Sequence, residues 1–230
     1  VVNDRWAKFS DGKKHGDYYT REYSANDAVF DKPWEECRGM GFSFGYNQNE
    51  DLSDYSTPQA LVLTLVNIVS KGGNLLLDIG PTANGKIPPI MQERLLQMGD
   101  WLQVNGEAIY GTRRWRKTTQ WSDGDRSWKY KGKYYVSGNA ILKQTVDPDP
   151  GYAVQEVFFA SKDKNVYAIL PKYSQQILLK DIHTTSKTKI SLLGCDKEVK
   201  WNDIQITMPS LTFDELPCNY AWTLKLEAVK

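Results

Sequence analysis

The sequence predicts an α/β region followed by an all-β region, the second folded as an antiparallel β-sandwich. Two observations carry this. Over residues 1–111, apolar runs with strand character alternate with segments of helical period, whereas from Thr112 onward the period shortens to two. A length of 230 residues with 40% hydrophobic content also suffices to bury one large core or two modest ones. The expected division is therefore 1–111 and 112–230.

In the first region, Val1 to Asn3 read as a strand end, and GFSFGYNQ, residues 41–48, as the next apolar stretch. A helix follows. Thr57 is a plausible N-cap and Pro58 suits the first helical position; Leu61, Leu65, Ile68 and Val69 then recur at helical spacing until Gly72 and Gly73 stop the helix. The run NLLLDIGP from Asn74 is short, continuous and apolar, as in a parallel strand buried on both faces. A second helix carries Met91, Leu95, Met98 and Leu102 on one face and ends near Gly106.

In the second region, EVFFASKDKNVYAIL reads as a hairpin, and TKISLLG and WNDIQITMP as strands. Along YAWTLKLEAV, residues Trp222, Leu224, Leu226 and Ala228 face one way and Thr223, Lys225 and Glu227 the other, as in a half-solvated antiparallel strand. Residues 121–152 lack a clean period and read as a long, partly ordered insertion.

Composition narrows the function. With 29 Lys and Arg against 28 Asp and Glu there is no strong field for nucleic acid or an acidic membrane surface. No apolar run is long enough to span a bilayer. The strand-like start at Val1 reads as a chain beginning inside an element. Cys37, Cys195 and Cys218 have no metal-ligand spacing, and their odd number leaves one outside any disulfide scheme. Eight Trp and 13 Tyr suit either sugar-stacking surfaces or buried β-domain rings.

If the parallel strands come from a barrel, reactive groups belong just after each strand. That rule selects Asp4, Arg5 and Trp6, then Tyr46 and Asn47, then Pro81 and Thr82. Arg5 would fork onto substrate hydroxyls or pair with a carboxylate to fix its loop. Glu22, among Tyr18, Tyr19 and Tyr23, would be a solvated loop charge or a general acid, and Glu35 and Glu36 are the other carboxylates nearby.

The segments VVNDRW, HGDYYTREYS, KPWEECRGMGFSFGYNQNE, SKGGNLLLDIGPTANGKIPP and WLQVNGEAIYGTRRW resemble, in order, signature segments of the α-L-fucosidase family of retaining glycoside hydrolases. TKISLLG and YAWTLKLEAVK resemble its C-terminal β-sandwich, and the likeness weakens only around residues 123–152. The resemblance implies the last strands and helices of a (β/α)8-like barrel followed by the sandwich, with the nucleophilic aspartate upstream of Val1; Asp4 matches a different position. It further implies a fucosylated glycan substrate, no metal or organic cofactor, and a periplasmic, secreted or lysosomal setting.

Position by position, Glu22 matches the family's acid/base glutamate, with Glu35 the runner-up because the loop length varies. The flanking rings would raise the pKa of Glu22 by desolvation. Arg5 matches an arginine of the sugar pocket, and Phe44 an aromatic beside the C5 methyl of fucose, with Trp34 and Tyr46 as further rim candidates. The competing reading is a non-catalytic carbohydrate-binding or structural β-sandwich fragment. A partial barrel also implies open strand edges and a helix face without a partner.

Overall fold

The computed structural model describes residues 1–24, 30–132 and 137–229. A small hairpin of β1 (Ala7–Lys8) and β2 (Lys14–His15) precedes β3 (Tyr19–Glu22). Asn3 forms a parallel bridge to Tyr18, so the chain start lies beside β3. β3, β4 (Trp34–Gly39) and β5 (Gly73–Asp78) form a parallel sheet in that order, with α1 (Pro58–Ser70) crossing from β4 to β5 and α2 (Pro89–Asn105) following. The second strand is thus PWEECRG rather than the expected GFSFGYNQ, whose residues form a loop beyond it. Alternation explains the misreading. Trp34, Glu36 and Arg38 all point to the buried side of β4, so a strand with charged residues on its inner face carries no simple apolar signal.

The N-cap expectation for α1 holds, with Thr57 Oγ1 accepting from the Ala60 N–H at 3.2 Å. α2 differs from expectation. Its buried stripe is Met91, Met98, Trp101 and Asn105, whereas Leu95 and Leu96 are exposed.

A five-stranded antiparallel sheet runs in the order β10 (Lys189–Leu192), β13 (Trp222–Glu227), β8 (Asn165–Leu170), β7 (Gln155–Lys162), β6 (Arg113–Trp121). It faces a three-stranded sheet of β11 (Lys200–Asn202), β12 (Gln205–Thr207) and β9 (Gln176–Leu178). Phe159, Ala168 and Leu224 from the larger sheet close on Ile177, Leu179 and Ile206 to make the sandwich core. The segment WNDIQITMP is a hairpin of two strands and not one. The insertion includes the short helix α3 (Ala140–Lys143), and Asn139 Oδ1 accepts from the Thr57 N–H at 2.9 Å, tying it to the start of α1.

The outer face of the five-stranded sheet is not solvated as the period of β13 implied. Phe158, Tyr167 and Ile169 project from it into a second core with Leu61, Leu63 and Val66 of α1 and Trp101 of α2. Thr223 is fully buried there. The helix face expected to lack a partner is therefore covered by the sandwich, with Trp101 Nε1 donating to the Ala221 carbonyl at 2.8 Å and Gln59 to the Tyr220 carbonyl at 3.2 Å.

Candidate active site

β3, β4 and β5 have one face toward α1 and one that no helix among the described residues covers. Register places Thr20 beside Glu35 and Asn74, Glu22 beside Cys37 and Leu76, and Gly39 beside Asp78. In a parallel sheet, residues in register share a face and successive residues alternate. Thr20, Glu22, Glu35, Cys37, Leu76 and Asp78 thus occupy the helix-free face, and the strands end there at Glu22, Gly39 and Asp78. Leu76 is 49% exposed on this face, so β5 is buried on one side only, contrary to its continuous apolar run.

The two candidate glutamates lie on this same face, Glu22 at the end of β3 and Glu35 nearer the start of β4. The field there is electronegative. Burial raises the Cys37 thiol pKa, and the charges of Asp78, Glu22 and Glu35 raise it further while Arg5 opposes them.

A chain of polar contacts holds Glu22. Asp4 Oδ1 accepts from the Thr20 backbone N–H and hydroxyl, both at 2.8 Å, and Lys14 Nζ donates to Asp4 Oδ2 at 2.7 Å. Arg5 Nε donates to Thr20 Oγ1 at 2.7 Å, and the same guanidinium forms an ion pair with Glu22 Oε1. Burial works to raise the Asp4 pKa, but the Lys14 and Thr20 hydrogen bonds outweigh it and bring it down to about 2. Arg5 therefore meets a carboxylate, and that carboxylate is Glu22.

The tyrosines flanking Glu22 do not enclose it, contrary to expectation. Tyr19 packs against Phe30 with ring centroids 5.6 Å apart, and Tyr23 against Phe44 at 5.0 Å. Tyr23 adopts a left-handed φ of 43°, turning the chain directly after Glu22, and its hydroxyl accepts from the Gly39 N–H at 2.8 Å. Gly39 is needed at that approach, because a Cβ there would lie 2.1 Å from the Ser43 carbonyl oxygen. The loop after β4 is thereby drawn toward the end of β3, where Phe44 packs on the ring of Tyr23, the residue after Glu22. Trp34 belongs to the core instead of a rim, 2% exposed with Nε1 donating to the Lys71 carbonyl at 3.2 Å. Tyr46 remains exposed, beside a hollow formed with residues 82–89 after β5.

Sequence reasoning named Glu36 only as one of the carboxylates nearby and missed its buried pairing behind the site with Ser24 and Arg38. Glu36 Oε2 accepts from Ser24 Oγ at 2.6 Å and Oε1 from the Ser24 N–H at 3.2 Å, while Arg38 Nη1 lies 3.3 Å from Oε1. Burial raises the Glu36 pKa, with Ser24 and Arg38 opposing. The Arg38 guanidinium sits over the Tyr23 ring, 5.2 Å from its centroid, within the reach of about 6 Å for a cation–π contact. Two charged residues two apart in a strand share a face, and that spacing in WEECRG was the available signal.

Parallel strands with a helix on one face and carboxylates at the strand ends of the other, joined to a β-sandwich, define an α/β unit with an appended β domain. Residues 1–107 match the family model for alpha-L-fucosidase, and residues 152–227 match that for the alpha-L-fucosidase C-terminal domain. The chain belongs to the alpha-L-fucosidase family. It is 36% identical over 239 residues to the tissue alpha-L-fucosidase of Homo sapiens and 38% identical over 241 residues to the plasma alpha-L-fucosidase of Rattus norvegicus. Each match takes in 100% of this chain but only 44% and 46% of those relatives, so the chain spans less than half their length. Thermotoga maritima alpha-fucosidase in complex with fucose matches 98% of this chain and 44% of its own, at 28% identity and a TM-score of 0.68. Alpha-L-fucosidase isoenzyme 1 from Paenibacillus thiaminolyticus shares the fold at 20% identity, with a TM-score of 0.70 over 100% of this chain.

Proposed function

We propose that this chain is the C-terminal portion of an exo-acting, retaining α-L-fucosidase that removes terminal α-L-fucose from glycans, with residues 1–111 completing a (β/α)8-like barrel and residues 112–230 forming its sandwich. The observation that carries this reading is the helix-free face bearing Glu22, Glu35 and Asp78, in a chain of this family that spans under half of its relatives. A closed barrel would turn that face, with its exposed Leu76, into an interior.

In this reading Glu22 is the acid/base. It protonates the leaving oxygen as the upstream aspartate attacks C1, then takes a proton from the water that releases fucose; the two carboxyl groups of a retaining site stand about 5–5.5 Å apart. Arg5 orients the Glu22 carboxyl group, and as sugar hydroxyls take up the guanidinium's donors Glu22 is released from the pair to hold the proton it delivers. Phe44, fixed by Tyr23, takes the methyl side of fucose, a contact worth about 1–3 kcal/mol against a hydroxymethyl sugar.

The test requires the chain in its full-length context. Glu22→Ala should slow hydrolysis of fucosides with poor leaving groups by about 10²–10⁴-fold and that of activated aryl fucosides much less. Added azide should partly restore turnover. Both signatures at Glu35→Ala and neither at Glu22→Ala would reverse the assignment. Residues 1–230 alone should show no hydrolysis of an aryl α-L-fucoside, and clear turnover would refute an upstream nucleophile.

A further inference from the structure

β3 and β4 are parallel neighbours, yet the connection between them, residues 23–33, is shorter than the crossover of about a dozen or more residues that such a pair ordinarily needs, and it contributes no helix among the described residues. Where β4 buries Glu36 and Arg38, the facing wall comes from the other domain. Trp128, Gly138, Ile141 and Gln144 of the sandwich insertion meet the two charged residues across a space of only about 40 Å³. Ile141 continues from there into the core shared with Leu61 of α1. The approach is closest at Gly138, where a Cβ would lie 2.1 Å from Ser56 Oγ and 3.8 Å from Arg38 Nη2, so a larger residue would displace the insertion from the pair. Asn139, accepting from the Thr57 N–H, fastens the same segment to the start of α1.

Glu36 in turn holds the chain just beyond β3. Both of its carboxylate oxygens accept from Ser24, one from the hydroxyl and one from the backbone N–H, and Ser24 stands two residues after Glu22 with the left-handed Tyr23 between them. Arg38 contacts the same turn, pairing with Glu36 and lying over the Tyr23 ring, which also carries Phe44. Enclosure strengthens these contacts, because a hydrogen bond to a carboxylate gains where water is excluded. With the insertion withdrawn, water would compete for Glu36 and the turn after Glu22 would loosen.

We propose that the sandwich insertion positions the acid/base. By sealing Glu36 and Arg38 it fixes Ser24 and Tyr23, and through them the Glu22 carboxyl group against the leaving oxygen. Glu36 is thus a positioning residue, and the sandwich shapes the reaction geometry without contributing a group to it. This inference rests on the acid/base reading of Glu22 given above.

The experiment measures kcat/KM of the full-length enzyme on aryl α-L-fucosides running from poor to activated leaving groups, for Glu22→Ala, Glu36→Gln, Ser24→Ala, Ser24→Thr, Gly138→Ala and Asn139→Ala. The ratio between poor and activated substrates is blind to how much enzyme is folded, since both report the same active molecules. A reacting group misplaced by about 1 Å costs on the order of 100-fold, so Glu36→Gln, Ser24→Ala and Gly138→Ala should each lower kcat/KM for poor leaving groups by about tenfold or more and for activated ones by less than about twofold. Ser24→Thr, which keeps the hydroxyl, should restore the ratio. Asn139→Ala should move it in the same direction by a smaller factor, and it tests the insertion even if Gly138→Ala does not fold. An equal loss across the series in the Glu36 and Ser24 variants, or an unchanged ratio in every folded insertion variant, would overturn the proposal while Glu22→Ala keeps its own leaving-group dependence. Absence of that dependence in Glu22→Ala would remove the acid/base reading itself, and the proposal with it.

Discussion

Asp4 is the residue on which the geometry around Glu22 rests. Its side chain takes the Thr20 N–H and hydroxyl and the Lys14 ammonium, and Thr20 in turn accepts from Arg5, which pairs with Glu22. Its pKa falls from the usual 3.8 to about 2 on folding, so its contribution to stability is present above pH 4 or so and is lost as the pH drops toward 2. Asp4→Asn should therefore cost roughly 2 kcal/mol at neutral pH and flatten the acid limb of the stability curve, read by urea unfolding at a series of pH values. An unchanged acid limb would show that Asp4 is not held as an anion. In full-length enzyme the same variant should lower activity by loosening Arg5, whereas Lys14→Ala, which leaves the Thr20 contacts in place, should do so less.

At the scale of elements, α1 illustrates how local chemistry and packing agree. Its N-cap is satisfied by Thr57 and its body is buried on several sides, with Ala60, Val62 and Leu63 all at 0% exposure. Thr57→Ala should cost about 1 kcal/mol, seen as a lower urea midpoint with unchanged m-value, while Thr57→Ser should cost less. α2 shows the opposite case. Its apolar residues exceed what it buries, and Leu96, 70% exposed, sits away from the stripe of Met91, Met98 and Trp101. Period alone cannot rank several overlapping apolar faces, and packing against α1 together with the Ala221 carbonyl chose the one with Trp101.

The whole molecule is joined through the outer face of the five-stranded sheet. One continuous cluster combines α1, Trp101 and Ile109 with Phe158, Tyr167, Ile169 and Ala221. Glu107 reinforces the junction, accepting from the Tyr167 hydroxyl at 2.7 Å and from Lys225 Nζ at 2.6 Å. The Lys225 and Tyr167 hydrogen bonds lower the Glu107 pKa, while burial and the Glu107 contact raise that of Tyr167. Trp101→Ala should remove about 3–5 kcal/mol and destabilise both halves together. Hydrogen exchange is the check: amides of α1 should be protected as strongly as those of β7 and β8, and rapid exchange through α1 beside a protected sandwich would contradict a shared core.

By itself the sequence determined α1, β5 and α2 in that order, the cap and stop of α1, the hairpin of β7 and β8, and a set of motifs specific enough to identify the family. These depend on local propensity, capping and period, which neighbouring residues alone express. The tertiary structure decided what each face meets. It showed that β4 buries Glu36 and Arg38, that Arg5 pairs with Glu22, that Tyr23 turns away to hold Phe44, and that the second face of β13 packs on helices instead of water. The reason is physical: alternation says which residues share a side of a strand, but solvent, helix and partner carboxylate are distinguished only once segments distant in sequence have packed together.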